Sequence, residues 1–193
     1  GRDDPRAAAL FAALCERTVA AQRFDVAEHC VARLETLPVV QHTRLRLANL
    51  LRCAGHQDLA LRLLQPVLRD DPGDIAARLI GAMSLLTGTH ASQREITARR
   101  AAYAASLQAL DAETEGATPD RLAAAIGQVG DAKPFFLAYH GEDDLALQRC
   151  YGRIVSRITR AAFPAPAVRP VATNGRLRSA PAEAPLRIGF ASS

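Results

Sequence analysis

Tryptophan is absent from this chain, methionine occurs once and aromatic residues make up only 5% of it, so packing must rest on Leu, Ala, Val and Ile. A chain built on Ala and Leu favours helix, and an all-β fold is excluded as an expectation. Lysine is also nearly missing: of 24 basic residues only Lys133 is lysine, a bias read as a property of the coding sequence rather than as chemistry. The four cysteines, Cys15, Cys30, Cys53 and Cys150, form no C-x-x-C pair. Each lies in a helical pattern, where a thiol is expected to act as a small buried hydrophobe. Cys53 and His56 have a spacing that suits zinc, but the further ligands at coherent spacings that a site needs are lacking. There is no phosphate-cradling glycine loop, no dinucleotide fingerprint and no nucleophile elbow. No long apolar run and no signal-peptide pattern occurs, so no membrane partner is expected and the expected compartment is the cytoplasm. The chain opens on Gly1 rather than Met and is read as part of a longer protein.

What is present is hydrophobic residue in quantity, 49% of 193 residues, enough for one core or a short solenoid with an appendage. The stretch His42–Asp74 describes two helices folded back on each other. Leu45, Leu47, Leu50 and Leu51 share one face of the first, and Gly55 stops it. Ala60, Leu61, Leu64, Val67 and Leu68 form the inner face of the second, and Asp71-Pro72 ends it. Pro66 lies inside that helix, where a kink or early break is expected.

Upstream, Asp3-Asp4-Pro5 starts a helix to Ala21 with Leu10, Phe11, Leu14 and Val19 on one side, and Phe24 opens a partner helix. Ala27 and Ala60 lie 33 residues apart, so the unit is repeated. Downstream, Ile75, Leu79, Ala82, Met83 and Leu86 face inward on a helix closed by Gly88. Ser92 and Glu95 form a capping box for a long helix to about Leu110. Asp111–Ala117 reads as loop, and Thr118-Pro119-Asp120 begins a helix carrying Leu122, Ile126 and Val129 up to Gly130. Lys133–His140 reads as an extended aromatic segment. Gly141–Asp144 leads into a helix with Leu147, Tyr151, Ile154 and Ile158 inward and Arg149, Arg153, Arg157 and Arg160 on another face. The proline-rich residues 164–185 read as a linker, and Leu186–Ala191 alternates as a lone β-strand does.

Leu47, Ala48, Leu51, Gly55, Ala60, Leu64 and Pro72 sit at the offsets of the tetratricopeptide repeat (TPR), a unit of about 34 residues, although Arg44 and Leu51 stand where that family prefers aromatics. The expected fold is therefore all-α: TPR-like antiparallel helix hairpins in a short solenoid over residues 1–111, a helical spacer over 112–163, the linker, and one orphan strand over 186–193. This order of elements, with PFFLAYHGEDDLALQRCYGRIVSRI before the linker and PLRIGFASS after it, resembles bacterial SPINDLY-type O-linked N-acetylglucosamine transferases. The resemblance implies a parent enzyme that moves sugar from a nucleotide-sugar donor to Ser or Thr of proteins. It also implies that residues 186–193 open the first lobe of the catalytic region. The family's catalytic and nucleotide-binding positions correspond to none of these residues. The chain alone is thus expected to be inactive, to hold no cofactor or metal, and to offer its repeat groove to an acceptor protein or peptide. The alternative is a free-standing repeat scaffold that only binds partners.

The candidate junction residues are Phe135, Tyr139, His140, Arg149, Arg153 and Arg157. His140 suits either a hydrogen-bonding role beside the catalytic lobe or an ordinary packing role. The arginine row suits either an acidic partner or a solvated helix face. Residues 145–193 hold eight Arg against one Glu, a net +7 within a chain of +4, leaving −3 on the rest; packing of this basic quarter on the repeats is an expectation. No aromatic-interleaved basic motif accompanies the charge, so a nucleic-acid partner is not expected.

Overall fold

The computed structural model describes residues 4–164, which are mostly helical and contain no strand. The expected orphan strand at 186–193 and all but the first residue of the proline-rich linker lie outside the described residues. The helices are α1 (Pro5–Ala20), α2 (Phe24–Leu34), α3 (Gln41–Cys53), α4 (Gln57–Asp70), α5 (Ile75–Ser84), α6 (Gln93–Gly116), α7 (Pro119–Ala124), α8 (Ile126–Val129) and α9 (Leu145–Ala162), with a 3₁₀ helix over Phe135–His140 before α9.

Successive helices pair: α1 with α2, α3 with α4, and α5 with α6. The connections are short, and helices that pack along their length across such turns run antiparallel. The first helices of the pairs also touch in sequence, α1 on α3 and α3 on α5, while α2 touches α4. Fully buried alanines explain the closeness of these crossings: Ala27, Ala48, Ala60, Ala77 and Ala82 have no exposed surface. Equivalent turns close the first two pairs. Gly55 at the α3–α4 turn has φ +87°, and Gln22 at the α1–α2 turn has φ 56°.

On α1 the inward stripe is Ala8, Ala12, Cys15 and Val19, not the leucines. Leu10 and Leu14 are 67% and 39% exposed. They lie two positions off a stripe whose small side chains let α1 settle on its neighbours. On α4, Leu59 and Leu63 join Ala60, Leu64 and Val67 in the core, whereas Leu61 and Leu68 are only half-buried. The helix runs through Pro66 to Asp70 without the expected break.

Gly88 does not close α5, which ends at Ser84. The reading of Asp111–Ala117 as loop is corrected too: α6 continues to Gly116, because that polar run contains no Gly or Pro before Gly116. Thr114 is buried there and its hydroxyl donates to Asp111 O at 2.9 Å. Ser92 caps α6 as expected, accepting from Glu95 N–H at 3.2 Å, while the Glu95 carboxylate accepts from Ala91 N–H at 2.8 Å. Thr118 caps α7, which breaks at Ala125 instead of continuing to Gly130. Ala125 is 1% exposed and packs into the core at this break. Of the cysteines, Cys15, Cys30 and Cys150 are buried thiols, and burial together with neighbouring Cys30 pushes the Cys15 thiol up to about 12. Cys53, at the last turn of α3, is exposed, contrary to expectation.

α9 lies against α6 and α7, burying Cys150, Ile154 and Ile158. One apolar core runs from Ala12 on α1 to Ile158 on α9.

Candidate functional site

Lys133–His140, expected to be extended, is instead a turn followed by the 3₁₀ helix. Lys133 N–H bonds back to Asp131 O at 3.1 Å, and Gly141 closes the helix with φ 70°. With about three residues per turn, side chains three apart eclipse one another. Leu137 and His140 thereby share the buried edge. Phe136 and Tyr139 share another, their rings 6.1 Å apart, while Phe135 lies 5.4 Å from Phe136 and 5.8 Å from Tyr139. Phe135 is 66% and Tyr139 60% exposed, so an aromatic platform stands in solvent ahead of α9, whose first residue, Leu145, is 54% exposed.

The platform and its flanking residues are tied to the neighbouring helices at several points. Gly88 lets the Phe136 ring approach so closely that a Cβ there would sit 2.9 Å from Phe136 Cε1. Arg52, buried on α3, donates to Asp131 O at 2.8 Å, and Tyr151 on α9 donates to Ala132 O at 3.1 Å. Arg100 on α6 forms an ion pair with Asp144 and also donates to Asp143 O. Asp143 in turn accepts from Leu145 N–H at 2.9 Å, capping the first turn of α9.

His140 is 5% exposed, and neither ring nitrogen has a hydrogen-bond partner among the described residues. Its ring meets His90 edge-on at 5.0 Å. Burial first, then His90 and Arg100, hold its pKa below the usual histidine value, with Asp144 opposing. Tyr103, one turn beyond Arg100, is likewise fully buried with an unpartnered hydroxyl, and burial pushes its pKa up.

The arginine row divides. Arg153 donates to Asp111 through Nε at 3.1 Å and Nη2 at 2.6 Å, and Arg157 pairs with the same carboxylate and reaches Thr114 Oγ1 at 3.1 Å. Hydrogen bonding from Arg153 first, then from Arg157, holds the Asp111 carboxyl below its usual range. These two arginines clamp α9 to α6, whereas Arg149 is exposed. Thus Phe135, Tyr139 and His140 come together on one turn, while Arg153 and Arg157 serve a separate clamp. Sequence reasoning missed His90, Gly88, Arg52 and Arg100. Each lies far along the chain from its partner, and Gly88 carries the same letter whether it ends a helix or admits a ring.

A concave feature lies between α1 and α3, a cleft of about 310 Å³ walled by Ala9, Ala12, Ala13, Val39 and Val40, with the Glu16–Arg46 ion pair beside it. Among the described residues no group of three His, Cys, Asp or Glu side chains is arranged to hold a metal. Among them, too, no helix is long and apolar enough to cross a membrane. No known family, curated protein or solved structure matches the chain.

Proposed function

We propose that the chain is the TPR-like, non-catalytic amino-terminal region of a protein O-glycosyltransferase that transfers sugar from a nucleotide-sugar to Ser or Thr of proteins. The carrying observation is the platform of Phe135 and Tyr139, large aromatic groups left in solvent on an anchored turn, with Leu145 exposed at the start of the helix that follows. Scattered exposed hydrophobics are ordinary, but a contiguous aromatic cluster on a rigid base marks an interaction surface. In this reading residues 134–163 buttress the catalytic lobe through the platform, and residues 186–193 belong to that lobe. Helix pairs repeating at a spacing of 33 residues, with Cys15 matched by Ala48 and Ala27 by Ala60, support the TPR-like assignment of residues 1–111. The α1–α3 cleft then suits an acceptor segment, as concave faces of stacked helix pairs do.

The test is to follow the coding sequence past Ser193 and to assay both lengths for sugar transfer from nucleotide-sugar to protein hydroxyls. Transfer by the extended protein, none by residues 1–193, and loss on Phe135→Ala/Tyr139→Ala in the extended protein are expected. Transfer by residues 1–193 alone overturns the reading. A stop codon directly after Ser193 favours the alternative, a free-standing scaffold that uses the α1–α3 cleft to hold partners.

A further inference from the structure

Leu10 and Leu14 share the side of α1 turned away from its buried stripe of Ala8, Ala12, Cys15 and Val19. The 33-residue repeat shows how such a side is used further along the chain. Leu14 corresponds to Leu47 on α3 and, one repeat later, to Ile80 on α5. Leu14 is 39% exposed, whereas Leu47 and Ile80 are both 0% exposed. Leu10, 67% exposed, corresponds to half-buried Thr43 and to buried Ala76. α3 packs against α1, and α5 against α3. These positions are therefore covered in the later pairs, each of which has a predecessor, and bare in the first. At the other end of the array α7 and α8 lie on α5, and α9 lies on α6. Among the described residues nothing covers α1 in the same way.

Charge sets this side apart from the internal joints. Where α3 has Leu50 and α5 has Met83, α1 has Arg17. Arg17 and Arg6, both exposed, run along one border of the Leu10–Leu14 stripe. On the opposite border Arg33 of α2 lies over the Phe11 ring, 5.5 Å from its centre. The acids of α1 are engaged elsewhere: Asp4 accepts from the N–H groups of Arg6 and Ala7, and Glu16 pairs with Arg46 of α3. An apolar partner packed here as closely as at the internal joints would bury Arg17 without a counter-charge, which is costly. A partner that brings carboxylates to both borders pairs the arginines instead. A second copy of the chain does not do this. Both borders are basic, so either two-fold pairing through α1 sets arginine against arginine. A helix with an apolar stripe edged by acids meets both demands, since an amphipathic helix reads such a surface through side chains three and four residues apart.

We propose that the outer side of α1 docks an acidic amphipathic helix of a partner protein. Its apolar stripe lies on Leu10 and Leu14, carboxylates on one border meet Arg6 and Arg17, and carboxylates on the other meet Arg33. The surface stands independently of the glycosyltransferase reading, since it uses neither the aromatic platform nor the α1–α3 cleft.

The experiment is an amide NMR titration of the chain with a blocked helical peptide of about 16 residues, with Leu at every third or fourth position and Glu along both borders. The same peptide with Lys in place of every Glu serves as comparison. Saturable shifts confined to α1 and the Arg33 turn of α2 with the Glu peptide, and much weaker binding of the Lys peptide, are expected. Leu10→Ser/Leu14→Ser should weaken binding of the Glu peptide about tenfold. Arg6→Glu/Arg17→Glu should weaken it about threefold or more and should improve binding of the Lys peptide. If the serine variant disturbs the spectrum as a whole, the charge variant decides, because both of its positions are exposed. The proposal is overturned if the Glu peptide shifts nothing on α1, if the Lys peptide binds the wild type as well, or if the charge variant leaves both affinities unchanged. It is equally overturned if sedimentation shows the chain pairing with itself through Leu10 and Leu14. The same holds if the coding sequence before Gly1 supplies a helix pair that protects these two residues in the longer protein.

Discussion

Replacing Gly88 by Ala tests how the platform is seated. The added Cβ would lie 2.9 Å from Phe136 Cε1 and 3.1 Å from Cδ1, inside any normal carbon contact. The obstacle is an aromatic ring, not the free end of a flexible chain, and the ring is half-buried on a 3₁₀ helix whose other edge carries buried Leu137 and His140. It can yield only by tilting outward or by lifting the helix. Forcing a methyl into a packed contact costs about 1–3 kcal/mol. Against this, Ala restricts the unfolded chain more than Gly, which returns about 0.4–1 kcal/mol. Gly88 does not have a positive φ, so no further backbone penalty enters. The net is a destabilisation of about 1–2 kcal/mol. Urea unfolding of the wild type, Gly88→Ala, Phe136→Leu and the double variant checks it. The Gly88→Ala cost should shrink to near zero on the Phe136→Leu background, where the smaller side chain leaves room. An unchanged cost in the double variant, or a stabilised single variant, would refute the claim that this glycine exists to admit the ring.

Asp111→Asn should destabilise by about 1–3 kcal/mol, mainly by leaving half-buried Arg157 short of a charged partner. Because Asp111 has a depressed carboxyl pKa in the folded chain, its contribution is full above about pH 4 and fades in stronger acid. Urea midpoints of wild type and variant should therefore converge as the pH falls. His140 works at a different pH. With its folded pKa held below the unfolded value of about 6.5, stability is full above that pH. It declines as pH falls, by at most about 1.4 kcal/mol per pH unit, until the folded pKa is passed. His140→Phe should be no less stable than wild type at neutral pH and should lack this decline below about pH 6.5. At the two equivalent turns, Gly55→Ala should cost about 1 kcal/mol in thermal or urea unfolding, since φ is +87° and nothing else lies within 4 Å. Gln22→Gly should be neutral or mildly stabilising.

Much of the helical order was legible because its signals are local. Gly55 and Asp71-Pro72 end helices where their chemistry requires, and the caps at Ser92 and Thr118 lie where their spacing put them. Inner faces were harder to read. Leu10 and Leu14 are greasier than Ala8, Ala12 and Cys15, yet the small residues face inward because the helices cross closely there. The polar run after Leu110 resembled loop, but its acid is one half of a clamp whose other half, Arg153 and Arg157, comes 42 and 46 residues later. The aromatic turn was legible in composition, as an aromatic run before an acidic helix start. Its seat was not, because Gly88, His90, Arg100 and Arg52 reach it only through the fold.

The most direct measurement is hydrogen exchange and side-chain footprinting over Phe135–Leu145, comparing residues 1–193 with the protein extended through its downstream coding sequence. Protection of Phe135, Tyr139 and Leu145 that arises only in the extended protein is the predicted result. Equal reactivity of all three in both would contradict a platform built to carry a catalytic lobe.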